Sequence, residues 1–557
     1  MPLPATVPPR IVLCTLNARY VHASLGLRCL LANMGDLRAQ TALCEFTIHR
    51  APHEMARVLL DLLGPVQPGQ VQVIGVGVYI WNVVPTGVLL QLLRSLRPGL
   101  RIVLGGPEVS HELDTQPLLA LADHVITGWG DVSFPRLCRA LLHGPRPLQR
   151  VIAGEQPGLA TLMLPNAEYT DTDLARRVVY VEASRGCPFR CAFCLSALDK
   201  TAWAFDLPPF LDALDALYRR GARNFKFVDR TFNLKTGAAL QILQFFLDRL
   251  PAPGTPASAP DLLVHFELIP DHLPEALRRA IAAFPAGVLQ FEVGVQTFDV
   301  DVQKRIQRVQ DNTRTEAHLR WLVQHTQAHV HADLIFGLPG ESLDGFGRGF
   351  DRLLALRPHE IQLGVLKRLR GTPLAAQAAA SGLVFDPQPP YALRESAEVS
   401  ARDLQRFTRL ARYWDLIANS GRFQRTLALL LPPPPPPGAA SGSAFGVLMH
   451  LADWLWARTG RTHHLTPEQL VDHLADYLRD ETGADPARVQ QVLLDDYLAS
   501  GARARPQQLR ASLPPGATPV RKRPRAGAQR QDQHLAAPPQ GPAAGVPMAD
   551  PGVEFRL

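Results

Sequence analysis

The sequence predicts an α/β protein with two successive parallel sheets, followed by a helical extension. Short apolar runs alternate with helical stretches over residues 10–145, and the same alternation resumes from 178 to about 367. Beyond Gly371 helical periodicity replaces it. We expect a doubly wound, Rossmann-like parallel-sheet domain at 8–148, a linker at 149–176, a partial (β/α)6 barrel at 177–372, a helical domain at 373–502 and a disordered tail at 503–557.

Length and composition limit the class of protein. The chain has 557 residues, 46% of them hydrophobic, which suffices for two or three domains. It contains no apolar run long enough to cross a membrane, and its first residues do not resemble a signal peptide, so we expect a cytoplasmic protein. Much of the net charge of +7 lies in the Pro-, Ala- and Arg-rich tail, which argues against a nucleic-acid partner for the folded part.

The N-terminal domain is predicted to bind a ligand at the carboxyl ends of its strands. We place its strands at 11–16, 42–48, 71–79, 101–104 and 124–127, and its helices at 22–34, 53–63 and 84–96. Gly105-Gly106-Pro107 follows the fourth strand, and a second glycine pair, Gly128 and Gly130, follows the fifth. Ligands of such sheets lie at this edge, and glycine permits close approach, although ordinary tight turns would have the same residues. A dinucleotide is disfavoured, because no G-x-G-x-x-G follows the first strand.

The second region reads as a partial barrel with six strand–helix repeats. Strands are predicted at 178–183, 223–228, 262–268, 288–295, 330–336 and 360–366, and helices at 207–220, 236–249, 273–283, 313–325 and 343–355. Functional groups of such barrels come from the carboxyl ends of the strands.

Three cysteines follow the first barrel strand. Cys187, Cys191 and Cys194 have the spacing C-x3-C-x2-C on a loop, which can gather three thiolates around one point. Three protein ligands for a four-iron cluster leave one iron without a protein ligand. Such an open iron is a site for chemistry, as is a zinc ion with only three protein ligands. A structural zinc would need a fourth ligand, and the next histidine is His265. Arg185 and Arg190 flank the ligands and either balance the cluster charge or face solvent.

This loop resembles the radical S-adenosylmethionine (SAM) superfamily. The resemblance implies that the three cysteines bind a 4Fe–4S cluster and that the open iron chelates SAM, which is cleaved to a 5′-deoxyadenosyl radical. It implies that the Phe193 backbone meets the adenine. The motif Asp333-Leu334-Ile335-Phe336-Gly337-Leu338-Pro339-Gly340-Glu341 also matches the family. The resemblance implies further contacts with SAM, which are Asp229, Glu267, Glu292, Gln296, Gly337 and Leu338. The alternative roles of the acidic residues among them are helix caps and buried ion pairs. Catalytic residues proper are unknown.

The N-terminal region resembles the cobalamin-binding domain that precedes many radical SAM domains. Residues 17–26 lack the D-x-H-x-x-G of the cobalamin mutases, so His22 is not expected to bind cobalt, and the corrinoid would be held without a protein imidazole. The cobalamin contacts implied by the resemblance are Asn17, Tyr20, Tyr79, Trp81, Asn82, Gly105, Gly106, Pro107, Gly128 and Gly130.

The helical extension resembles that of an uncharacterised bacterial subgroup of these proteins. The resulting hypothesis is a radical SAM enzyme that uses a 4Fe–4S cluster, SAM and cobalamin for C-methylation or another C–H functionalisation. Alternatives are a radical cyclase or rearrangement enzyme, and a non-catalytic iron–sulfur or corrinoid-binding protein. Its expected partners are an unidentified substrate and an electron donor such as flavodoxin or ferredoxin, with no membrane.

Overall fold

Two six-stranded sheets, each built from parallel strands, form the framework of the molecule. The structure is a computed structural model, which describes residues 8–251, 261–431, 442–502, 504–513 and 529–536. None of the helices within these ranges is long and apolar enough to cross a membrane.

The N-terminal sheet is covered by helices on both faces. Its strands are β1 (Ile11–Asn17), β2 (Thr41–Thr47), β3 (Val73–Gly77), β4 (Arg101–Gly105), β5 (His124–Thr127) and β6 (Val151–Ala153), in the spatial order β2-β1-β3-β4-β5-β6. Its helices are α1 (Leu25–Ala32), α2 (Pro52–Leu63), α3 (Val83–Leu96) and α4 (Ser133–His143). Every residue of β1 is buried, as expected for a central strand covered on both faces. The strand order reverses between β1 and β3, which opens a crevice at the carboxyl ends.

Five of these six strands match the sequence prediction closely, whereas β6 is a correction. It lies in the segment predicted as a linker and pairs with β5. With only three residues, two of them exposed, β6 has no apolar run that could reveal it.

The second sheet forms the partial barrel. After α5 (Asp171–Arg176), its strands are β7 (Val179–Val181), β10 (Asn224–Phe227), β11 (Leu263–Leu268), β12 (Leu289–Gln296), β13 (His329–Phe336) and β14 (Glu360–Val365), ordered β14-β13-β12-β11-β10-β7. A small antiparallel ladder, β8 (Ser184–Arg185) with β9 (Trp203–Ala204), follows β7. The outer helices are α6 (Leu207–Arg219), α7 (Thr236–Leu247), α8 (Glu275–Ala282), α9 (Val300–Arg305), α10 (Asn312–His325) and α11 (Leu343–Leu354).

Burial alternates along β12, whose apolar residues face the helices and whose polar residues face the partly open interior. The six predicted strands differ from these bounds by two residues at most.

The C-terminal part shares one apolar core with the barrel. It contains α12 (Pro373–Ala376), the antiparallel pair β15 (Val384–Phe385) and β16 (Leu393–Glu395), α13 (Ala401–Ile417), α14 (Gln424–Leu430), α15 (Ala444–Thr459), α16 (Pro467–Asp480) and α17 (Pro486–Ala499). The ring of Phe407 lies 4.2 Å from that of Phe336 on β13. The expectation that strands end with the barrel is wrong for β15 and β16, which are too short to show a period in sequence.

Two pieces of the predicted disordered tail are described, and the rest lies outside the described residues. Residues 504–513 contain turns, and α18 (Gln529–Ala536) lies against the barrel, where Gln531 Nε2 donates to Leu289 O over 3.1 Å. Leu289 begins β12, so α18 contacts the amino end of the barrel strands.

Buried ion pairs attach the N-terminal sheet to the segment before the barrel. Arg28 on α1 lies 2.9 Å from both Glu45 on β2 and Asp173 on α5, and its side chain is 1% exposed. Arg177 contacts the same two carboxylates, Glu45 at 2.7 Å and Asp173 at 3.1 Å. The network attaches α1 and β2 to α5, which precedes the barrel, and each buried charge is matched within it.

Candidate active site

The loop that carries Cys187, Cys191 and Cys194, called the cysteine loop below, begins just beyond the carboxyl end of β7. It is closed by the β8–β9 ladder. Gly186 has a φ of +82°, and a Cβ there would lie 2.7 Å from Thr201 Oγ1 and 2.8 Å from Ala202 N. Cys187 N donates to Asp199 O over 2.9 Å. The loop therefore requires glycine immediately before its first cysteine, whose backbone is held in place.

The three cysteines are unpaired and lie within electrostatic reach of one another. Cys187 and Cys191 are buried, and Cys194 is partly exposed. Burial raises the pKa of the Cys187 and Cys191 thiols, and the neighbouring thiols of the same loop raise them further. Three free thiols gathered on one loop fit the donor set of a 4Fe–4S cluster with one open iron, and a bound metal would favour their thiolate form.

Two arginines that the sequence did not single out lie beside these thiols. Arg308 Nη1 is 3.8 Å from Cys191 Sγ, and its Nη2 donates to Gly294 O at the end of β12. Arg230 binds both carboxylate oxygens of Glu267 at 2.7 and 2.8 Å and acts against the pKa rise of Cys187. Both cations can therefore offset the negative charge of an iron–sulfur cluster.

Of the two arginines that flank the cysteines in sequence, neither contacts the thiols through its charged group. Arg190 is exposed. Arg185 turns away to Asp131 and Glu182, whose oxygens lie 2.8 Å from its nitrogens. Burial raises the pKa of Glu182 to about 7 in spite of this contact.

Asp229, a predicted SAM contact, is committed to the loop itself. Its two carboxylate oxygens accept hydrogen bonds from Ala183 N (3.0 Å) and Ser184 Oγ (2.5 Å). Burial raises the pKa of Asp229 to about 6 against the effect of these donors. The residue thus orients the chain that enters the cysteine loop.

Glu267 and Glu292, also predicted SAM contacts, lie opposite each other on β11 and β12. Glu267 pairs with Arg230, as described above. Glu292 Oε2 lies 3.2 Å from Lys226 Nζ and 3.1 Å from His265 Nε2. Burial opposes its ionisation, but the close contact with His265 and the Lys226 charge hold the pKa of Glu292 well below its usual range.

The next strand adds a second polar pair to the barrel interior. His331 Nε2 lies 3.2 Å from Asp333 Oδ1 on β13. Burial disfavours the imidazolium, but the contact with Asp333 and nearby carboxylates raise the pKa of His331 to about 9. The lumen is consequently lined by paired charges, as suits a polar ligand.

The remaining predicted SAM contacts occupy different environments. Gln296 ends β12 with a φ of +69°. Gly337 is packed so closely that a Cβ would lie 2.4 Å from Leu393 Cδ2, and Leu338 is fully buried. Phe193 is partly buried against the barrel core.

A cavity of about 360 Å³ lies between the N-terminal sheet and the cysteine loop. On one side it is lined by the carboxyl ends of β3, β4 and β5 and by α1. On the other it is lined by Glu182, Arg185, Gly186 and Asp199. Its walls are mostly apolar, and glycines form much of the sheet side. This is the crevice at the strand-order reversal, where parallel sheets bind ligands.

Half of the predicted cobalamin contacts line this cavity. They are Tyr79, Gly105, Gly106, Gly128 and Gly130. A Cβ at Gly106, whose φ is +105°, would lie 2.5 Å from Val78 O, so the backbone itself forms the wall here. No histidine lines the cavity in the described part of the chain, and a corrinoid would fit only without an imidazole ligand. His22 Nδ1 is engaged by Tyr180 Oη at 2.7 Å.

The other predicted cobalamin contacts support the cavity from outside it or face solvent. Asn82 is fully buried, and its side chain bonds Leu16 O (3.1 Å) and accepts from Tyr79 N (2.8 Å). Trp81, 46% exposed, stacks on Tyr79 with ring centroids 4.5 Å apart. The three that remain do not line the cavity and are Asn17, Tyr20 and Pro107.

The second region belongs to a known superfamily. Residues 181–352 match the model of the radical SAM superfamily, and residues 380–522 match that of a protein family of unknown function, DUF4080. The barrel is therefore a radical SAM domain.

Two curated relatives match part of the chain. An uncharacterised methyltransferase of Pyrococcus horikoshii is 28% identical over 177 residues, which cover 27% of this chain and 38% of the relative. The 2-(S-pantetheinyl)-carbapenam-3-carboxylate methyltransferase of Streptantibioticus cattleyicolor is 24% identical over 315 residues. This match covers 52% of this chain and 45% of the relative. The chain thus spans less than half the length of either.

The architecture as a whole matches that of a solved enzyme. The cobalamin-dependent SAM radical enzyme OxsB, with aqua-cobalamin bound, superposes with a TM-score of 0.58 at 14% identity, over 95% of this chain and 83% of that one. At this identity the likeness concerns the fold, in which a Rossmann-like sheet precedes a radical SAM barrel.

Proposed function

We propose that this protein is a cobalamin-dependent radical SAM enzyme that methylates an unreactive carbon of a small-molecule substrate. The observation that carries the proposal is the cavity wall, in which the glycine loops of the N-terminal sheet face Glu182, Arg185 and Gly186 of the cysteine loop. A ligand of the N-terminal domain would adjoin the cysteines. We assign residues 8–148 to corrinoid binding and residues 177–372 to the radical SAM domain.

Each group of residues has a task in this scheme. Cys187, Cys191 and Cys194 would hold the iron–sulfur cluster, and Arg308 and Arg230 would balance its charge. Gly105, Gly106, Gly128 and Gly130 would let a flat corrin approach the sheet. When bound, the cluster supplies the electron that cleaves SAM, and the corrinoid supplies methyl-transfer chemistry.

The barrel interior would bind SAM and the polar substrate. Glu292 remains ionised and can accept from an amino or hydroxyl group, whereas protonated His331 can donate.

The protein also requires an electron source, for which we propose flavodoxin or ferredoxin. All seven cysteines are free, which suits a reducing cytoplasm.

The test is anaerobic reconstitution with iron, sulfide and hydroxocobalamin, followed by assays with methyl-labelled SAM. We expect deoxyadenosine and a stoichiometric corrinoid in the wild-type protein. Cys191→Ala should abolish deoxyadenosine formation, whereas the control Cys44→Ala, on the N-terminal sheet, should leave it unchanged. Deoxyadenosine without bound corrinoid would overturn the methyltransferase proposal and favour radical cyclisation or rearrangement. Bound cluster without SAM cleavage would favour a non-catalytic role.

A further inference from the structure

The amino ends of β13 and β14 meet helix α18 on the side of the barrel opposite the cysteine loop. His329 is the first residue of β13, and Glu360 is the first residue of β14. Both side chains are almost completely buried, with 3% exposure. His534 of α18 reaches the same point, where its ring centroid lies 5.1 Å from that of His329.

These three side chains form a compact donor set. His329 Nε2 lies 2.9 Å from Glu360 Oε1. One ligand atom from each of the three residues can be chosen so that all lie within 4.8 Å of one another. Two imidazoles and one carboxylate, supplied by three different elements, are a set that zinc binds, with water in the fourth position. We propose that His329, Glu360 and His534 bind a divalent cation of the zinc class, which attaches α18 to the amino end of the barrel strands.

Outer contacts orient two of these ligands. His534 Nδ1 lies 2.8 Å from Gln424 Nε2, whose amide can be turned over to present its oxygen, and His534 Nε2 has the longer contact, 3.3 Å, with Asn419 O. A metal-bound imidazole holds its second nitrogen through such a partner, and the amide can present its oxygen to Nδ1–H. His534 Nε2 is then the atom available to a metal.

Glu360 is oriented in the same manner. Its Oε2 accepts from Arg530 Nη1 over 3.0 Å, which leaves Oε1 toward His329. Arg530 also binds Asp415 at 2.7 Å. Two carboxylates thus face one guanidinium, and the remaining negative charge suits a cation.

His359 is close to this set but is not a ligand. Its ring lies 4.7 Å from that of His329, but its Nδ1 accepts from Val330 N, so its Nε2 carries the hydrogen. Ligand atoms around a tetrahedral zinc lie about 3.4 Å apart. The His329–Glu360 contact would therefore open slightly, and the His534 nitrogen would approach them.

Zinc alone is the probe that tests this site. The full-length protein is prepared with Cys187, Cys191 and Cys194 changed to serine, so that the cysteine loop holds no metal. It is loaded with Zn²⁺ and dialysed, and its metal content is measured by mass spectrometry. We expect about one zinc per chain. Because this protein cannot cleave SAM, the result is independent of the proposed function.

Matched variants decide where the zinc binds. His534→Gln and Glu360→Gln should each lower the retained zinc by about tenfold or more, whereas His464→Gln, in an exposed turn, should not. His534 lies on α18 and not on a barrel strand, so its replacement leaves the barrel strands intact, and a thermal melt checks this. Absence of zinc from the parent protein would overturn the site in favour of a metal-free hydrogen-bonded contact. Full retention in His534→Gln would overturn it by placing the zinc elsewhere.

Discussion

The Arg185 guanidinium holds the Asp131 carboxylate in two contacts, of 2.8 and 3.1 Å. This pair joins the cysteine loop to the glycine loop that follows β5, so the two walls of the cavity are mechanically connected. Arg185 also binds Glu182 and lies 4.8 Å from the ring centre of Trp129. Arg185 is therefore one of the contacts that hold the two walls of the cavity together.

Replacing Arg185 should destabilise the fold. Arg185→Ala leaves the buried Asp131 and the partly buried Glu182 without their cation, and we expect a loss of about 3–5 kcal/mol in the free energy of unfolding. Arg185→Lys keeps the charge but not the forked geometry and should lose less. Urea unfolding measures the change, with the exposed Arg190→Ala as control. Equal stability of the Ala variants at 185 and 190 would contradict the role of this pair.

Removing Arg308 should lower the reduction potential of the cluster. Reduction adds negative charge beside Cys191, and the guanidinium at 3.8 Å from its sulfur stabilises that charge. Arg308→Gln should therefore make the potential more negative by tens of millivolts, measured by spectroelectrochemical titration of the reconstituted protein. Arg314→Gln, on an exposed part of α10, should cause no shift. An unchanged potential in Arg308→Gln would show that this arginine serves the loop structure alone.

The sequence predicts the architecture more completely than it predicts the side-chain contacts of the site. Barrel strands such as β12 bury apolar residues at every second position, so periodicity reveals them. The cysteine spacing likewise marks one local loop. Arg308, in contrast, meets Cys191 across 117 residues of chain, and only the closure of the barrel brings them together.

The composition of the C-terminal tail also gave no indication of the contacts that α18 makes. His534 lies in a segment rich in Pro, Ala and Gln, yet it meets Gln424 and Asn419 after more than a hundred intervening residues. A polar helix of eight residues has little apolar pattern, and its docking depends on charged partners in the barrel.

The close approach of two backbones at Gly106 predicts a sharp difference between neighbouring glycines. Gly106→Ala would place a Cβ 2.5 Å from Val78 O at a φ of +105°, and we expect a loss of about 1–3 kcal/mol and of corrinoid binding. A Cβ at Gly105 would lie at an ordinary 3.7 Å from Ile126 O, so Gly105→Ala should fold with stability close to wild type. Thermal unfolding distinguishes the two variants. Similar behaviour of both variants would argue against the backbone contact as the cause.

Glu341 should make the protein less stable in alkaline solution. Its side chain is 2% exposed, and burial raises its pKa from 4.5 to about 8, although Thr297 Oγ1 donates to it over 2.9 Å. The folded protein therefore binds this proton more tightly than the unfolded chain. Stability is retained at acidic pH and is lost as pH rises from 4.5 through about 8, by up to about 5 kcal/mol.

The variant Glu341→Gln tests this assignment, because it keeps the shape of the side chain but cannot ionise. Its unfolding free energy should fall less between about pH 5 and about pH 9 than that of the wild type. Glu182 and Asp229, whose pKa values are also raised, contribute with the same sign and remain in the variant. The comparison with the exposed Glu275→Gln isolates the share of Glu341, because that control should retain the full wild-type slope. A Glu341→Gln profile parallel to wild type would mean that Glu341 is already ionised in the folded protein at neutral pH, with its charge met by a partner other than Thr297.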